Sequence, residues 1–141
     1  AFLVMDLMER VTELIRRQSD GSEVEFTCME KAEDILLYAD EGQISQILIN
    51  LMKNAIQAGA TKVDLIAEMD AFENVIINVV NNGRPISKES QEEIFVPFYT
   101  TKHEGTGIGL SLSRQIMRLH GGTLNLTRSD AKTTVFTLIF K

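Results

Sequence analysis

The stretch of sequence that decides the fold is residues 41–58, which read EGQISQILINLMKNAIQA. Apolar residues recur in it every three or four positions, and this spacing predicts a helix with one buried side. Asp40 precedes it as a good N-cap residue, and Gly59 follows as a natural end. The opposite side of the helix carries a stripe of amides: Gln43, Gln46, Asn50, Asn54 and Gln57.

Amides are an unusual choice for a side that only meets water. Asparagine costs about 0.6 kcal/mol relative to alanine in a helix, and lysine or glutamate would serve solubility better. Amide oxygens are hard ligands that suit Mg²⁺, which takes its other ligands from water and phosphate. From this helix alone, a magnesium site and a solvated polar side remain equally open.

The remaining sequence predicts a mixed α/β chain around this helix. Helical periodicity marks residues 2–17 and 108–120, with a short helical piece at 88–94. Alternation and turn signals predict strands at residues 23–28, 35–39, 62–69, 74–80, 123–127 and 133–140. The run at 35–39 is expected to pair nearby. The short connection after residue 69 favours an antiparallel pair, and a turn is expected at Ser129 and Asp130.

Composition limits the class of protein. The chain has 141 residues, 44% of them apolar and 24% charged, which suits one folded domain and excludes disordered and disulfide-rich classes. The net charge of −6 argues against nucleic acid as a partner. The single cysteine, Cys28, alternates with Val24 and Phe26, which favours a buried structural thiol in a reducing compartment.

The ends and the hydropathy of the chain bear on its location. No apolar run approaches the roughly 20 residues that cross a bilayer. The chain begins at Ala1 without an initiator methionine, so we expect a fragment of a longer protein. We expect it to be cytoplasmic, with any membrane anchor in the rest of the parent.

A glycine-rich segment, residues 105–110 (GTGIGL), opens the last helix. Backbone N–H groups of such a turn converge on an anion, and the helix N-terminus adds its positive end, so the segment suits a phosphate. It matches neither a dinucleotide-binding fingerprint nor a Walker loop, and taken alone it is equally well a flexible connection. Just before it, residues 94–102 (IFVPFYTTK) combine aromatics, hydroxyls and a cation.

Together these three segments resemble, in order and spacing, the nucleotide-binding boxes of the catalytic and ATP-binding domain of sensor histidine kinases, in the superfamily of gyrase B, Hsp90 and MutL. The likeness covers about residues 20–140. It implies a two-layer α/β sandwich, with a mixed, mainly antiparallel sheet, helices on one face and an ATP lid. It also implies that residues 18–141 form the ATP-binding domain and that residues 1–17 lead from a dimerisation and phosphoacceptor domain.

Carried over residue by residue, the resemblance implies that Asn54 binds Mg²⁺ and that Asn50 supports the phosphates. Lys102 would stand near the terminal phosphates, so Asn50 and Lys102 are the expected catalytic residues, acting by positioning and charge neutralisation. In the self-contained ATPases of the superfamily a glutamate base stands where Asn50 is, so efficient hydrolysis is not expected. The full set implied to bind nucleotide is Asn50, Asn54, Gln57, Asn81, Gly83, Ile86, Thr101, Lys102, Gly105, Thr106, Gly107, Ile108, Gly109, Leu110 and Thr134.

One box departs from the family pattern. Where the family has Asp-x-Gly-x-Gly, residues 81–85 read NNGRP. Asn81 replaces the aspartate that accepts from the adenine amino group, so a charge-assisted hydrogen bond is lost, although an amide can still face the base. Pro85 fixes φ near −65°, so we expect this loop to run differently. A plain turn after a strand is the alternative interpretation.

The leading hypothesis is a histidine kinase catalytic domain that uses Mg²⁺ and ATP and donates the γ-phosphate to a histidine elsewhere. Neither His103, in the expected lid, nor His120, at a helix end where a cation would suit the dipole, is placed to accept it. The implied partners are the phosphoacceptor domain of the same protein, a homodimer mate and a response regulator. A degenerate nucleotide-binding fold that serves as a docking module is the second hypothesis. A kinase of serine on a partner protein shares the boxes, but the first helix favours the histidine kinase.

Overall fold

A computed structural model of the chain describes residues 1–18, 23–91, 93–96 and 106–141, with only the backbone for residues 106–109. The elements in these ranges are β1 (Phe2–Leu3), α1 (Val4–Arg16), β2 (Glu25–Glu30), β3 (Leu36–Leu37), α2 (Glu41–Gln57), β4 (Lys62–Met69), β5 (Val75–Asn81), α3 (Lys88–Gln91), α4 (Thr106–Leu119), β6 (Thr123–Ser129) and β7 (Thr134–Phe140). No helix among them is long and apolar enough to cross a membrane.

Five strands form one mixed sheet in the order β2-β4-β5-β7-β6. β2 runs parallel to β4, and the other neighbouring pairs are antiparallel, including β4 with β5 as predicted. Buried and half-buried side chains alternate strictly along β5 and β7, so one face of the sheet is covered and the other is open. The predicted mixed, mainly antiparallel sheet with helices on one face is confirmed. The predicted ATP lid falls on residues that lie outside the described ranges.

The central helix α2 follows the prediction closely. Its apolar side is buried in the core that α1, α2 and α4 form against the sheet, through Ile44, Leu48, Leu51 and Ala55 among others. The side chain of Asp40 accepts a hydrogen bond from the Gln43 N–H at 3.1 Å, which caps the helix. Gly59 takes a φ of +81° just beyond the helix end. The amide side of α2 is therefore turned away from the core.

Two predictions near the N-terminus are wrong. The first helix begins at Val4 and not at residue 2, because Phe2 and Leu3 form a strand. The run at 35–39 contributes only the two-residue β3, whose partner is this distant β1 and not a nearby strand. The Val4 N–H donates to the Ile35 carbonyl at 2.9 Å and holds the chain extended just before the first helical turn.

Helix α1 belongs to the same core as the rest of the chain. Leu7, Met8 and Ile15 on its inner side are fully buried. That residues 1–17 lead out of a dimerisation domain stays a prediction.

Smaller differences concern strand and helix ends. β2 lies two residues later than predicted. Phe26 is buried, but Cys28 is only half-buried and not fully buried as predicted. Burial raises the pKa of the Cys28 thiol. β6 runs to Ser129 because a bulge after Leu126 lets it continue along β7, so the turn begins one residue later than expected. α3 ends at Gln91, three residues before the predicted end.

Candidate functional site

The amide side of α2 lies beside α4. Gln46 Nε2 donates to Asn50 Oδ1 at 3.3 Å, and Asn50 Nδ2 reaches Ser113 Oγ on α4 at 3.5 Å. Ser113 is buried, so Asn50 is held between the two helices. An amide in this position can orient a phosphate but cannot accept a proton from water.

Asn54 lies one turn further along the same side and is half-buried. Its side chain makes no hydrogen bond to the described part of the chain. The described residues also contain no cluster of three or more His, Cys, Asp or Glu side chains that could hold a metal ion. A single amide oxygen without a protein partner fits a magnesium ion that takes its other ligands from water and phosphate, as Mg²⁺ prefers.

Two hydrogen bonds join the segment after β5 to the C-terminus of α2. The Arg84 N–H donates to the Ala58 carbonyl at 2.8 Å, and Arg84 Nη2 donates to the Gln57 carbonyl at 2.9 Å. A cation at these carbonyls also suits the negative end of the helix dipole. A Cβ on Gly83 would lie 2.9 Å from the Ala58 Cβ, so close approach requires glycine there. Ala58 is one turn after Asn54, so this contact brings the altered box next to the amide side of α2.

Asn81 and Thr134 lie opposite each other where β5 ends and β7 begins. Both are buried beneath the helix side of the sheet, with 6% and 2% of their surface exposed. Asn81 Oδ1 accepts the Gly83 N–H at 2.8 Å. The Ile86 N–H donates to Ser129 Oγ at 2.8 Å, and this oxygen lies 3.0 Å from Thr134 Oγ1. Four predicted residues, including Gly83 and Ile86, thus meet at one end of the sheet.

The turn between β6 and β7 keeps this end of the sheet in place. Asp130 accepts from the backbone N–H groups of Lys132 and Thr133, both at 2.9 Å, and pairs with Arg128 at 2.7 Å. The hydrogen bond from Arg128, followed by those from the two backbone groups, lowers the pKa of Asp130 to about 2. Because the pKa of Asp130 is lower in the folded state, its ionised carboxylate stabilises the turn at every pH above the usual aspartate pKa. This stabilisation is lost only as the pH falls through about 2.

Arg114 on α4 contacts both β6 and Phe95, which lies near the start of the aromatic segment at residues 94–102, here called the aromatic box. Its guanidinium carbon lies 3.7 Å from the centre of the Phe95 ring, and it donates to the Leu124 carbonyl at 3.0 Å and to Asn125 Oδ1 at 2.7 Å. Phe95 in turn meets Phe136 edge-on at 6.5 Å. Burial lowers the pKa of Arg114, but a guanidinium remains charged at working pH. This contact therefore fixes where the aromatic box begins.

Sequence reasoning missed three side chains of this region: Ser113, Ser129 and Arg114. Nothing in the sequence distinguishes Arg114 from Arg118 as the cation that stacks on Phe95. The two serines carry no signal in the sequence, because their role depends on which elements become neighbours.

Part of the predicted site cannot be compared with the structure. Thr101, Lys102 and Gly105 lie outside the described residues. α4 begins at Thr106 and not at residue 108, so the backbone of Thr106, Gly107, Ile108 and Gly109 forms its first turn. The Leu110 side chain is buried in the core, which leaves only its backbone to face a ligand.

The site thus consists of an amide-lined helix packed beside the end of the mixed sheet where Asn81 and Thr134 lie. Residues 39–141 match the family model described as Histidine kinase-, DNA gyrase B-, and HSP90-like ATPase. The chain belongs to this family.

Individual relatives narrow the class to sensor histidine kinases. Sensor histidine kinase ZraS of Escherichia coli K12 is 33% identical over 135 residues, covering 94% of this chain and 29% of the relative. Sporulation kinase E of Bacillus subtilis 168 is 29% identical over 136 residues, covering 94% of this chain and 18% of the relative. The catalytic domain of histidine kinase ThkA, in a nucleotide-free form, superposes with a TM-score of 0.86 at 35% identity, covering 99% of this chain and 92% of that chain.

These likenesses confirm the prediction of an ATP-binding catalytic domain of a sensor histidine kinase, together with its fold. The chain spans less than a third of the length of the curated relatives just described.

Proposed function

We propose that this domain binds Mg²⁺ and ATP between α2, the start of α4 and the end of the sheet where Asn81 and Thr134 lie. It then donates the γ-phosphate to a histidine on a phosphoacceptor domain of the same protein. The observation that carries the proposal is the contact between Gly83 and Ala58. It joins the box at 81–85 to the helix that carries Asn50 and Asn54, so two distant motifs form one site.

The residues have separate roles in this proposal. Asn54 offers to the magnesium ion an amide oxygen that has no partner in the described part of the chain, and the ion when bound supplies neutralisation of the phosphate charge. Asn50, held by Gln46 and Ser113, orients the phosphates. Backbone N–H groups in the first turn of α4 and the charge of Lys102 complete the phosphate site. Asn81 and Thr134 face the base, with Gly83, Ile86 and Gln57 as further nucleotide-binding residues. Thr101, which lies outside the described residues, is assigned to nucleotide binding from the resemblance alone.

The groups in the described part of the chain support transfer of the phosphoryl group to another domain over transfer to water. Asn50 is an amide and cannot serve as a general base. Nor is His120 an acceptor, because the Asp40 N–H donates to its Nε2 at 3.2 Å and its Nδ1 lies 2.9 Å from the Ile116 carbonyl. Since both ring nitrogens are engaged in these contacts, His120 has a structural role. A phosphoacceptor domain, a dimer mate and a response regulator are the partners that this function requires.

The docking-module hypothesis depends only on the altered box. Gly83 still makes its close approach to Ala58 in the presence of Pro85, which supports a working site over a degenerate one.

Titration calorimetry with a non-hydrolysable ATP analogue tests the magnesium role. Asn54→Ala should weaken binding at least tenfold when Mg²⁺ is present, because a metal ligand is lost, and removal of Mg²⁺ by a chelator should abolish most of that difference. Gln43→Ala is the matched control, since it removes an exposed amide from the first turn of the same helix. Equal affinities for Asn54→Ala and the parent in Mg²⁺ would remove Asn54 from the site.

A further inference from the structure

The amide of Asn81 has a fixed orientation. Its Oδ1 lies 2.8 Å from the Gly83 backbone nitrogen. A backbone N–H is only a donor, so the side-chain atom that faces it must be the oxygen, and the NH₂ group must occupy the other position. The usual ambiguity between the oxygen and nitrogen of an amide is therefore settled here by the partner.

The NH₂ group of Asn81 has no hydrogen-bond partner among the described residues. Asn81 is only 6% exposed, yet its Nδ2 makes no hydrogen bond within the described ranges. Among the described residues, no fully buried side-chain nitrogen or oxygen is without a partner, so Nδ2 must still be reachable from outside. A nearly buried donor that is unpaired but accessible is a group that a ligand can satisfy.

We propose that this donor selects the base, and that the site accepts a 6-oxopurine nucleoside triphosphate at least as well as ATP. The inference rests on the proposed function, in which Asn81 faces the base. An aspartate would give one oxygen to the Gly83 N–H and offer the second as an acceptor to a 6-amino group. Asn81 gives its only oxygen to Gly83 and offers a donor, which matches the oxygen of a 6-oxopurine and opposes an amino group.

The neighbouring polar groups do not cancel this preference. Thr134 Oγ1 and Ser129 Oγ are hydroxyls 3.0 Å apart, and a hydroxyl can turn to donate or to accept. Neither therefore distinguishes an oxygen from an amino group at position 6. The fixed amide of Asn81 is the group that does.

The test compares dissociation constants for ATP, inosine triphosphate and guanosine triphosphate in Mg²⁺, measured by calorimetry on the 141-residue chain. Inosine triphosphate isolates the effect of position 6, because it lacks the 2-amino group of guanine. We expect it to bind the parent chain at least as tightly as ATP does. Asn81→Asp should shift the ratio at least tenfold toward ATP.

The matched control is Asn82→Asp, which adds the same charge one residue away. Asn82 Oδ1 already accepts from the N–H groups of Thr61 and Lys62, at 2.8 and 3.0 Å, so an aspartate can keep these bonds. This variant should leave the ratio of the two dissociation constants unchanged.

The outcomes separate this inference from the function on which it rests. A tenfold or larger preference of the parent chain for ATP over inosine triphosphate would overturn the inference, even if Asn81→Asp failed to fold. Nucleotide binding with a ratio that Asn81→Asp does not move would also overturn it, while the proposed function would stand. If none of the three triphosphates bound, the proposed function would fail and the inference with it.

Discussion

Backbone N–H groups orient single amide side chains in this domain, some from the same loop and some from a distant segment. Asn81 and Asn82 are neighbours in the chain, yet the first accepts from Gly83 and the second from Thr61 and Lys62. A backbone N–H can only donate, so in each amide the oxygen must face that N–H. The NH₂ group of each side chain therefore has a fixed direction.

Gly83 offers a test at this scale. A Cβ there would lie 2.9 Å from the Ala58 Cβ and 3.0 Å from its carbonyl oxygen, so Gly83→Ala must push β5 and α2 apart. We expect a loss of about 1–3 kcal/mol in the free energy of unfolding, typical of overpacking, and weaker nucleotide binding. Denaturant unfolding and calorimetry measure both effects.

Gly42→Ala is the matched control for that variant. Gly42 lies exposed in α2, where the nearest atom to an added Cβ is a carboxylate oxygen of Asp40 at 3.4 Å. Alanine should stabilise this helical position by up to about 1 kcal/mol. If Gly83→Ala were as well tolerated as Gly42→Ala, the close approach would have no role in holding the site together.

Elements were predictable from the sequence where one strong pattern governed them. The predicted strand at 62–69 is β4 to the residue, since apolar residues recur at every second position from Val63 to Met69, and α2 is marked at both ends by Asp40 and Gly59. The pairing of β1 with β3 was missed, since two apolar residues carry no periodicity. The parallel pairing of β2 with β4 depends on how α2 crosses the sheet, which spacing does not show.

The residues of the candidate site also separate into those that the sequence could predict and those that it could not. Asn50, Asn54, Asn81 and Thr134 could be selected from the sequence, because their boxes have fixed spacing. Ser113, Ser129 and Arg114 could not, because each acts on a group from another element.

The stack of Arg114 on Phe95 is the clearest such contact between elements. Arg114→Ala removes a partly buried cation from an aromatic face and two hydrogen bonds, so we expect a loss of about 1–3 kcal/mol in the free energy of unfolding. Arg114→Lys should recover only part of it, because a lysine keeps the charge but not the planar fork. Denaturant unfolding of both variants measures the effect.

Arg118→Ala is the control for this pair, since Arg118 is an exposed cation in the last turn of the same helix. Its removal should change stability by less than about 0.5 kcal/mol. If Arg114→Ala were equally mild, the aromatic box would be held by other contacts.

At the scale of the whole molecule, the proposed function assigns to this chain one half of a phosphoryl-transfer reaction, the binding of the nucleotide. In the proposed function it supplies the nucleotide site, its described histidine, His120, has both ring nitrogens engaged, and Asn50 takes the position at which a base would activate water. Its relatives ZraS and sporulation kinase E are more than three times its length. A domain built in this way is suited to positioning a triphosphate for a nucleophile that another domain brings.

The most direct test of this account is phosphoryl transfer from ATP labelled at the γ-phosphate. The chain alone should neither label itself nor hydrolyse ATP above a slow background. After addition of the dimerisation and phosphoacceptor domain of the same parent, the label should move to that domain as acid-labile phosphohistidine, and Asn54→Ala should abolish the transfer. Rapid hydrolysis by the chain alone, with no label on the added domain, would contradict the account and place the protein with the self-contained ATPases of the family.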